Sequence, residues 1–294
     1  MFVQARGLSL AVEDTGETDR FPVLLVSGMG MQLVGWPPPF LRGLRQAGFR
    51  VIRYDHRDIG LSTPLDHLGQ PSVLWNLLKH KVGLHLHPPY SLQDLAEDAL
   101  ALMDQLGVAR AHVIGVSMGS MVAQRMALHA PDRLISLGLL MTTSGAPGLP
   151  GPTPAVLKAL MAPQAEPGSA QSRANSLAFL QALASPGYPY PPQVLEDFLD
   201  ECMARSDRPQ AALRQSMAVV ADVERHRLLG QIRTPTLVLH GREDPILPWP
   251  CGLDAAQRIP LADWHLIDGM GHDFPPGVVQ ILLEHLLPFL HQHA

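Results

Sequence analysis

The sequence predicts an α/β fold in which a doubly wound, mostly parallel sheet of about eight strands carries an inserted helical cap. Three observations predict it. Short apolar runs rich in β-branched residues alternate with segments of helical periodicity. One of these runs passes directly into a helical segment through Gly-Val-Ser-Met-Gly at 115–119. A long interval beyond that point contains helical patterns and no strand pattern.

Four strands form the first half of the predicted sheet. Their apolar runs lie at 2–5, 9–13, 22–26 and 50–55. The first two are predicted as short edge strands, and the third is predicted to be buried. Between the third and fourth strands, a helix is predicted at 39–47, where Gly48 provides its C-terminal cap.

The second half continues the alternation of helix and strand. Ser91 is a good N-cap, with Asp94 three residues later, for a helix whose apolar stripe ends at Gly107. The apolar run at 113–116 ends at the Gly-Val-Ser-Met-Gly turn, and Pro131 stops the helix that follows. Further strands are predicted at 134–141, 235–240 and 264–267, with helices at 251–258 and 278–290.

A long insertion interrupts this alternation. Four helical patterns separated by Pro and Gly clusters are predicted near 154–161, 170–184, 192–205 and 209–225. We therefore predict a core of residues 1–142 and 231–294 and a helical cap of residues 143–230, which suits 294 residues better than two equal domains. A second irregular stretch, 66–90, fits the rim of the site entrance and equally a surface loop packed on the cap.

The composition excludes several classes of partner. The net charge is −5, the pI is about 6.2 and no block of Lys or Arg occurs, so we expect neither nucleic acid nor an anionic membrane surface as a partner. The N-terminus lacks the apolar core of a signal peptide, and no apolar run is long enough to span a bilayer, so we expect a cytoplasmic protein. Cys202 and Cys251 lie far apart and are predicted to be free thiols. These patterns leave the oligomeric state open.

No cofactor and no metal site is predicted. Gly28-Met29-Gly30 follows a predicted strand, but a third glycine at the required offset is missing, so we reject a dinucleotide-binding fingerprint. The cysteines show no metal-type spacing. The expected partner is a small-molecule substrate.

The Gly-Val-Ser-Met-Gly turn is predicted to present a nucleophilic serine. A strand that turns directly into a helix through G-x-S-x-G forms a nucleophile elbow, in which the serine adopts a strained conformation with positive φ. Gly115 and Gly119 suit this turn because Cβ atoms there would collide with the helix that folds back over the strand. The helix N-terminus then directs free N–H groups at an anion beside Ser117. The alternative is a glycine-rich turn that contains a serine by chance.

A serine hydroxyl needs a neighbouring base, and the base needs a carboxylate that fixes its tautomer. In this topology the acid and then the histidine are expected after later strands, at the sheet edge where parallel strands end. Asp244 follows the seventh predicted strand, and His272 follows the eighth. Glu243 competes with Asp244, but Pro245 favours Asp244 as the turn residue. Asp273 is predicted to be a solvated neighbour rather than the acid.

An oxyanion produced at the serine needs two N–H donors. The residue after the nucleophile, Met118, offers one backbone N–H, and Met29 in the loop after the third strand offers the other. Gly28 and Gly30 let this loop approach the substrate oxygen. The predicted pocket residues are Met31, Trp36, Met141 and Met270, although ordinary core packing explains the methionines equally well.

Five stretches of the chain together resemble the α/β-hydrolase superfamily. They are Gly35-Trp36-Pro37 with Phe40, residues 54–62 (Tyr-Asp-His-Arg-Asp-Ile-Gly-Leu-Ser), residues 115–119, Asp244-Pro245-Ile246 and Gly269-Met270-Gly271-His272. Apart from the cap, the resemblance extends from about residue 20 to the end of the sequence. Within this superfamily, the chain most resembles the aclacinomycin methylesterase type. It implies an α/β-hydrolase fold in which Ser117 is the nucleophile, His272 the base and Asp244 the acid, with oxyanion N–H groups from Met29 and Met118.

We therefore expect a serine carboxylesterase that hydrolyses small-to-medium apolar carboxylic esters through an acyl-enzyme on Ser117. Three alternatives use the same three residues. One is an interfacial lipase or monoacylglycerol-type hydrolase with 66–90 as its lid. The second is a hydrolase of carbon–carbon bonds or a cofactor-free perhydrolase, and the third is a ligand receptor with slow turnover.

Overall fold

A computed structural model describes residues 1–69, 86–163 and 165–294. Within these ranges, eight strands follow one another: β1 (Phe2–Ala5), β2 (Leu8–Asp14), β3 (Pro22–Val26), β4 (Arg50–Tyr54), β5 (Ala111–Val116), β6 (Leu134–Leu140), β7 (Thr236–Gly241) and β8 (Ala262–Ile267). They form one sheet in the order β1-β2-β4-β3-β5-β6-β7-β8. The β1–β2 and β2–β4 pairs are antiparallel, and the others are parallel. The predicted fold class is confirmed, and each strand lies within two residues of its predicted bounds.

The helices alternate with the strands outside the long insertion. In chain order they are α1 (Pro38–Gln46), α2 (Leu92–Gln105), α3 (Met118–His129), α4 (Pro154–Leu160), α5 (Ala170–Ala182), α6 (Pro192–Arg205), α7 (Pro209–Ala221), α8 (Arg225–Leu228), α9 (Pro250–Arg258) and α10 (Pro276–Gln292). Ser91 and Asp94 form the capping box expected at the start of α2. None of the helices in the described ranges is both long and apolar enough to cross a membrane.

The central strands of the sheet are buried on both faces, which explains their continuous apolar runs. In β3, Leu24 and Val26 belong to a core cluster that includes side chains of α2 and α3. Val23 and Leu25 belong to a second cluster with side chains of α1 and α10. Successive residues of a strand point to opposite faces, so this alternation places one helical layer on each side of the sheet.

The insertion between β6 and β7 contains α4 to α8, and its described residues contain no strand. The first four of these helices coincide closely with the four helical patterns predicted from the sequence. The division into a core and a cap at 143 and 230 stays a prediction. The predicted entrance stretch 66–90 lies mostly outside the described residues, which resume at Leu86.

Two buried aspartates of the loop that follows β4 form ion pairs with the inserted helices. At the end of α6, Arg205 Nη2 lies 2.6 Å from Asp55 Oδ2. On α7, Arg214 forms a bidentate pair with Asp58, with distances of 2.5 Å from Nε to Oδ2 and 2.9 Å from Nη2 to Oδ1. Both aspartates are fully buried, so each requires its arginine partner. The two pairs fix where α6 and α7 sit above the sheet edge.

Candidate active site

Ser117 occupies a sharp turn between a strand and a helix. The strand β5 ends at Val116, and α3 begins at Met118. Ser117 between them has φ 55° and ψ −121°, the positive φ that the motif predicts. Few residues other than glycine adopt this conformation, and such strain is concentrated at functional sites. The turn therefore places Ser117 between the strand and the helix, outside the regular backbone conformation of both.

The glycines of the motif allow this turn. A Cβ atom built on Gly115 would overlap the carbonyl of Gly119, and one built on Gly119 would overlap the carbonyl of Val26. The obstacles are backbone atoms, which cannot rotate away as a side chain would. Gly115 and Gly119 thus permit close packing of α3 against β5 and β3, as the sequence predicts.

Asp244 and His272 lie in contact at the carboxyl edge of the sheet. Asp244 follows β7, His272 follows β8, and the distance from His272 Nδ1 to Asp244 Oδ2 is 2.6 Å. The other carboxylate oxygen accepts from the N–H groups of Ile246 at 3.0 Å and Leu247 at 2.8 Å. With Nδ1–H donating to this carboxylate, Nε2 of His272 is left as a proton acceptor.

A second histidine also approaches the Asp244 carboxylate. His240 Nε2 lies 3.2 Å from Asp244 Oδ2 and 2.7 Å from the Leu247 carbonyl oxygen. Burial opposes ionisation of Asp244, but the two histidines outweigh it and hold the pKa of its carboxyl below the usual value. His240 is not among the residues that the sequence analysis predicts for the site. Its position four residues before Asp244, at a strand end, is the signal that would have found it.

Glu243, the competing acid, has a different role. Its Oε2 accepts from the Gly269 N–H at 2.7 Å, which ties the loop after β7 to the loop after β8. Its side chain is exposed, whereas Asp244 is buried. Asp244 is therefore the residue of this pair that contacts His272.

Asp273 is half-buried and hydrogen-bonded, and not freely solvated as predicted. Asp273 Oδ1 accepts from the Ser185 N–H at 3.1 Å and also from the Ser185 hydroxyl. The segment that follows α5 covers the His272 loop, since the His272 N–H donates to the Leu183 carbonyl at 2.8 Å. Burial raises the pKa of the Asp273 carboxyl to about 6, against the lowering effect of the Ser185 hydrogen bonds.

Replacing Asp273 with asparagine is expected to change how stability depends on pH. Because the pKa of Asp273 is about 6 in the folded protein against an ordinary value of 3.8, the folded state binds this proton more tightly than the unfolded state. The contribution of this group to stability is therefore lost as pH rises from about 4 to about 6. The amide of Asp273→Asn does not titrate, so the variant does not lose this contribution. Measured by urea titration, the free energy of unfolding of the variant minus that of the wild type therefore rises over that range. Asp19→Asn at an exposed position is the control, and a pH-independent difference for Asp273→Asn would contradict the assignment.

The two predicted oxyanion donors have free N–H groups. Neither the Met29 nor the Met118 N–H donates to any group in the parts of the chain that the structure covers. A Cβ atom on Gly28 would lie 3.4 Å from Ser117 Cβ, so the loop after β3 passes directly beside the elbow. The Gly30 N–H donates to Gln215 Oε1 on α7 at 2.7 Å.

The predicted pocket residues lie in or against the apolar core. Trp36 is fully buried, stacks on Phe40 with ring centroids 5.4 Å apart, and donates its indole N–H to Ser27 Oγ at 3.1 Å. Met141 and Met270 are fully buried in the same cluster, and Met31 packs at its edge. Their contact with substrate stays a prediction.

The structure brings Asp244 and His272 together, whereas the Ser117 hydroxyl makes no hydrogen bond to either of them or to another described residue. All three follow parallel strands at one sheet edge. Hydrogen bonds between catalytic groups are often long without substrate and shorten in the complex. Within residues 1–69, 86–163 and 165–294, no group of three or more His, Cys, Asp or Glu side chains is arranged to hold a metal ion.

Known proteins are similar to this chain in architecture and in part of their sequence. The model of a family described as alpha/beta hydrolase fold matches residues 22–275. Rhodomycin D methylesterase DauP of Streptomyces sp. (strain C5) is 30% identical over 289 residues, which is 92% of this chain and 91% of that protein. Rhodomycin D methylesterase DnrP of Streptomyces peucetius is 29% identical with 92% and 91% covered. The crystal structure of a hydrolase from Pseudomonas aeruginosa PA01 has a TM-score of 0.72 and 28% identity, covering 99% of this chain and 97% of that one. The resemblance predicted from the motifs is confirmed.

Proposed function

Because the chain belongs to the α/β-hydrolase fold family and is a hydrolase, we propose that it is a serine carboxylesterase acting on small-to-medium apolar carboxylic esters. Ser117 is the nucleophile, His272 the base and Asp244 the acid that orients it. The observation that carries the proposal is the buried Asp244–His272 pair, 2.6 Å apart, at the sheet edge where Ser117 sits in its strained turn.

In the first half of the reaction, Ser117 Oγ attacks the ester carbonyl while His272 Nε2 removes the hydroxyl proton. The imidazolium that results is stabilised by the Asp244 carboxylate, whose lowered pKa keeps it ionised near neutral pH. Negative charge develops on the former carbonyl oxygen. The N–H groups of Met29 and Met118 stabilise it in this proposal, which is supported by their having no other acceptor in the described chain.

The tetrahedral intermediate then collapses. His272 donates its proton to the leaving alcohol, and the acyl group remains on Ser117 as an ester. In the second half, His272 removes a proton from water, the hydroxide equivalent attacks the acyl carbonyl, and the carboxylic acid leaves. The Ser117 hydroxyl is restored with the proton that His272 returns.

The substrate class follows from the surroundings of the site and from the relatives. Apolar residues of both core clusters, Met118 and Val116, flank Ser117 in the chain, and this supports an apolar acyl group. The two curated relatives are named as methylesterases, which supports a small leaving alcohol. We therefore propose methyl and other short-alcohol esters of apolar acids as the first candidates.

An ester panel tests this proposal. Methyl, ethyl and p-nitrophenyl esters of acyl chains of increasing length are expected to be hydrolysed, with kcat/KM highest for chains of intermediate length. The rate of hydrolysis should depend on the concentration of dissolved ester and should not jump when that concentration reaches the solubility limit. A jump there would favour an interfacial lipase. Stoichiometric acylation without multiple turnover on any ester would favour a ligand receptor and contradict an esterase.

A further inference from the structure

The loop that carries the proposed oxyanion donor is held by the inserted helices. We define residues 28–32 as the oxyanion loop. Its Gly30 N–H donates to Gln215 Oε1 on α7 at 2.7 Å. At the other end, Gln32 Nε2 donates to the carbonyls of Cys202 and Ser206, at and just beyond the end of α6, both at 2.8 Å. Three hydrogen bonds to α7, to α6 and to the residue after α6 thus fix a loop that follows a strand of the central sheet.

Gln215 is an unusual residue for its position. Its side chain is 0% exposed, yet its Nε2 finds no hydrogen-bond acceptor in the described residues. An unpaired buried donor costs free energy, which an apolar side chain of the same length would avoid. Packing therefore does not explain the amide. Its contact with the Gly30 N–H does, and that donor also determines that the oxygen of the amide faces the loop.

The side-chain amide oxygen of Gln215, Oε1, is held in a fixed position. The preceding residue, Arg214, is fully buried in its bidentate pair with Asp58, which fixes α7 at this level. On the same helix, Ala212 lies beside the loop, since a Cβ atom added to Gly30 would lie 3.4 Å from Ala212 Cβ. The acceptor for Gly30 is thus fixed by its own burial and by the contacts of residues that precede it on α7.

We propose that Gln215 is a positioning residue that keeps the Met29 N–H aimed at the oxyanion, a role that rests on the proposed esterase function. Gly30 has φ 69°, a conformation that glycine leaves easily unless another group holds it. Its N–H belongs to the peptide that follows Met29. Once that peptide is fixed, Met29 has little freedom to turn its own N–H away from the site. The inserted helices thereby contribute to transition-state stabilisation without touching the reacting atoms.

The variant Gln215→Met tests this proposal, because methionine keeps the length of the side chain and removes the acceptor. We expect kcat to fall by about 10-fold or more, short of the full loss of one oxyanion donor, with KM changed by less than about 3-fold. A trifluoromethyl ketone, whose adduct with serine mimics the oxyanion, should bind more weakly by the factor by which kcat/KM falls. Binding of the product acid should not change.

The thermal midpoint distinguishes positioning from folding. Gln215→Met removes one unpaired donor, Nε2, and creates another, the Gly30 N–H, so the midpoint should stay close to that of the wild type. Gln215→Leu gives a second variant with the same expectation. Arg173→Gln, which breaks an exposed ion pair between α5 and Asp200 of α6, is the matched control and should leave kcat unchanged.

Two failures are distinguishable. If the wild type is not inhibited by the trifluoromethyl ketone, the esterase proposal fails. If the wild type is inhibited but Gln215→Met and Gln215→Leu keep its kcat and its affinity for the ketone, only the positioning role of Gln215 is overturned. An equal loss of affinity for the product acid and for the ketone would also overturn it, since that pattern indicates general damage to the site.

Discussion

Ser117→Ala is expected to reduce ester hydrolysis by at least about 10³-fold, to the background of the assay, because no other group can form the acyl-enzyme. Substrate binding should be largely retained, since the oxyanion N–H groups and the apolar surroundings are unchanged. Alanine also relieves little of the strain at φ 55°, so the fold should persist. Initial rates with a p-nitrophenyl ester, compared with the wild type at equal folded concentration, measure the effect.

Ser216→Ala is the matched control. The Ser216 hydroxyl donates to the Leu213 carbonyl of its own helix at 2.7 Å and contacts no proposed catalytic residue. We expect this variant to keep the wild-type rate. If Ser117→Ala also kept it, the acyl-enzyme mechanism would be wrong, whatever the substrate.

The second large loss of activity is expected when Asp244, the proposed acid, is replaced. Asp244→Asn should lower kcat by about 10³- to 10⁴-fold, because an amide at this position neither holds the Nδ1–H tautomer of His272 nor stabilises its positive charge. The Ile246 and Leu247 N–H groups still have the Asn carbonyl oxygen as an acceptor, so the loop is expected to keep its shape. The loss should therefore appear in kcat more than in KM.

Glu243→Gln is the control for this change, because it neutralises the adjacent carboxylate, whose Oε2 contacts only the Gly269 N–H among the described groups. A loss of less than about 3-fold is expected, as for a surface substitution outside the site. The assignment of the acid would be reversed by a large loss in Glu243→Gln together with a small loss in Asp244→Asn.

Sequence reasoning predicted the residues whose positions depend on local pattern and strand order. Gly115 and Gly119 are required by the turn itself, so the motif led directly to Ser117. Asp244 and His272 follow consecutive strands of a parallel sheet, and parallel topology brings such strand ends to one edge. Their contact was therefore predictable although 28 positions separate them.

The contacts made by the inserted helices were not predictable in this way. Ser185 reaches Asp273 across 88 positions, and Gln215 reaches Gly30 across 185. Helical periodicity locates each helix and its apolar face, but it leaves open how α5, α6 and α7 pack over the sheet edge. For that reason Asp273 was predicted as solvated, and Gln215 carried no signal beyond its place in a helical pattern.

The central claim is that the Ser117 hydroxyl is made nucleophilic by the His272–Asp244 pair. Its most direct test is the site and rate of labelling by a fluorophosphonate, read by mass spectrometry of the digested protein. The prediction is one equivalent of label on the peptide that contains Ser117, formed in parallel with loss of activity and much more slowly in Asp244→Asn. Label on another residue, or full activity after Ser117 is labelled, would contradict it.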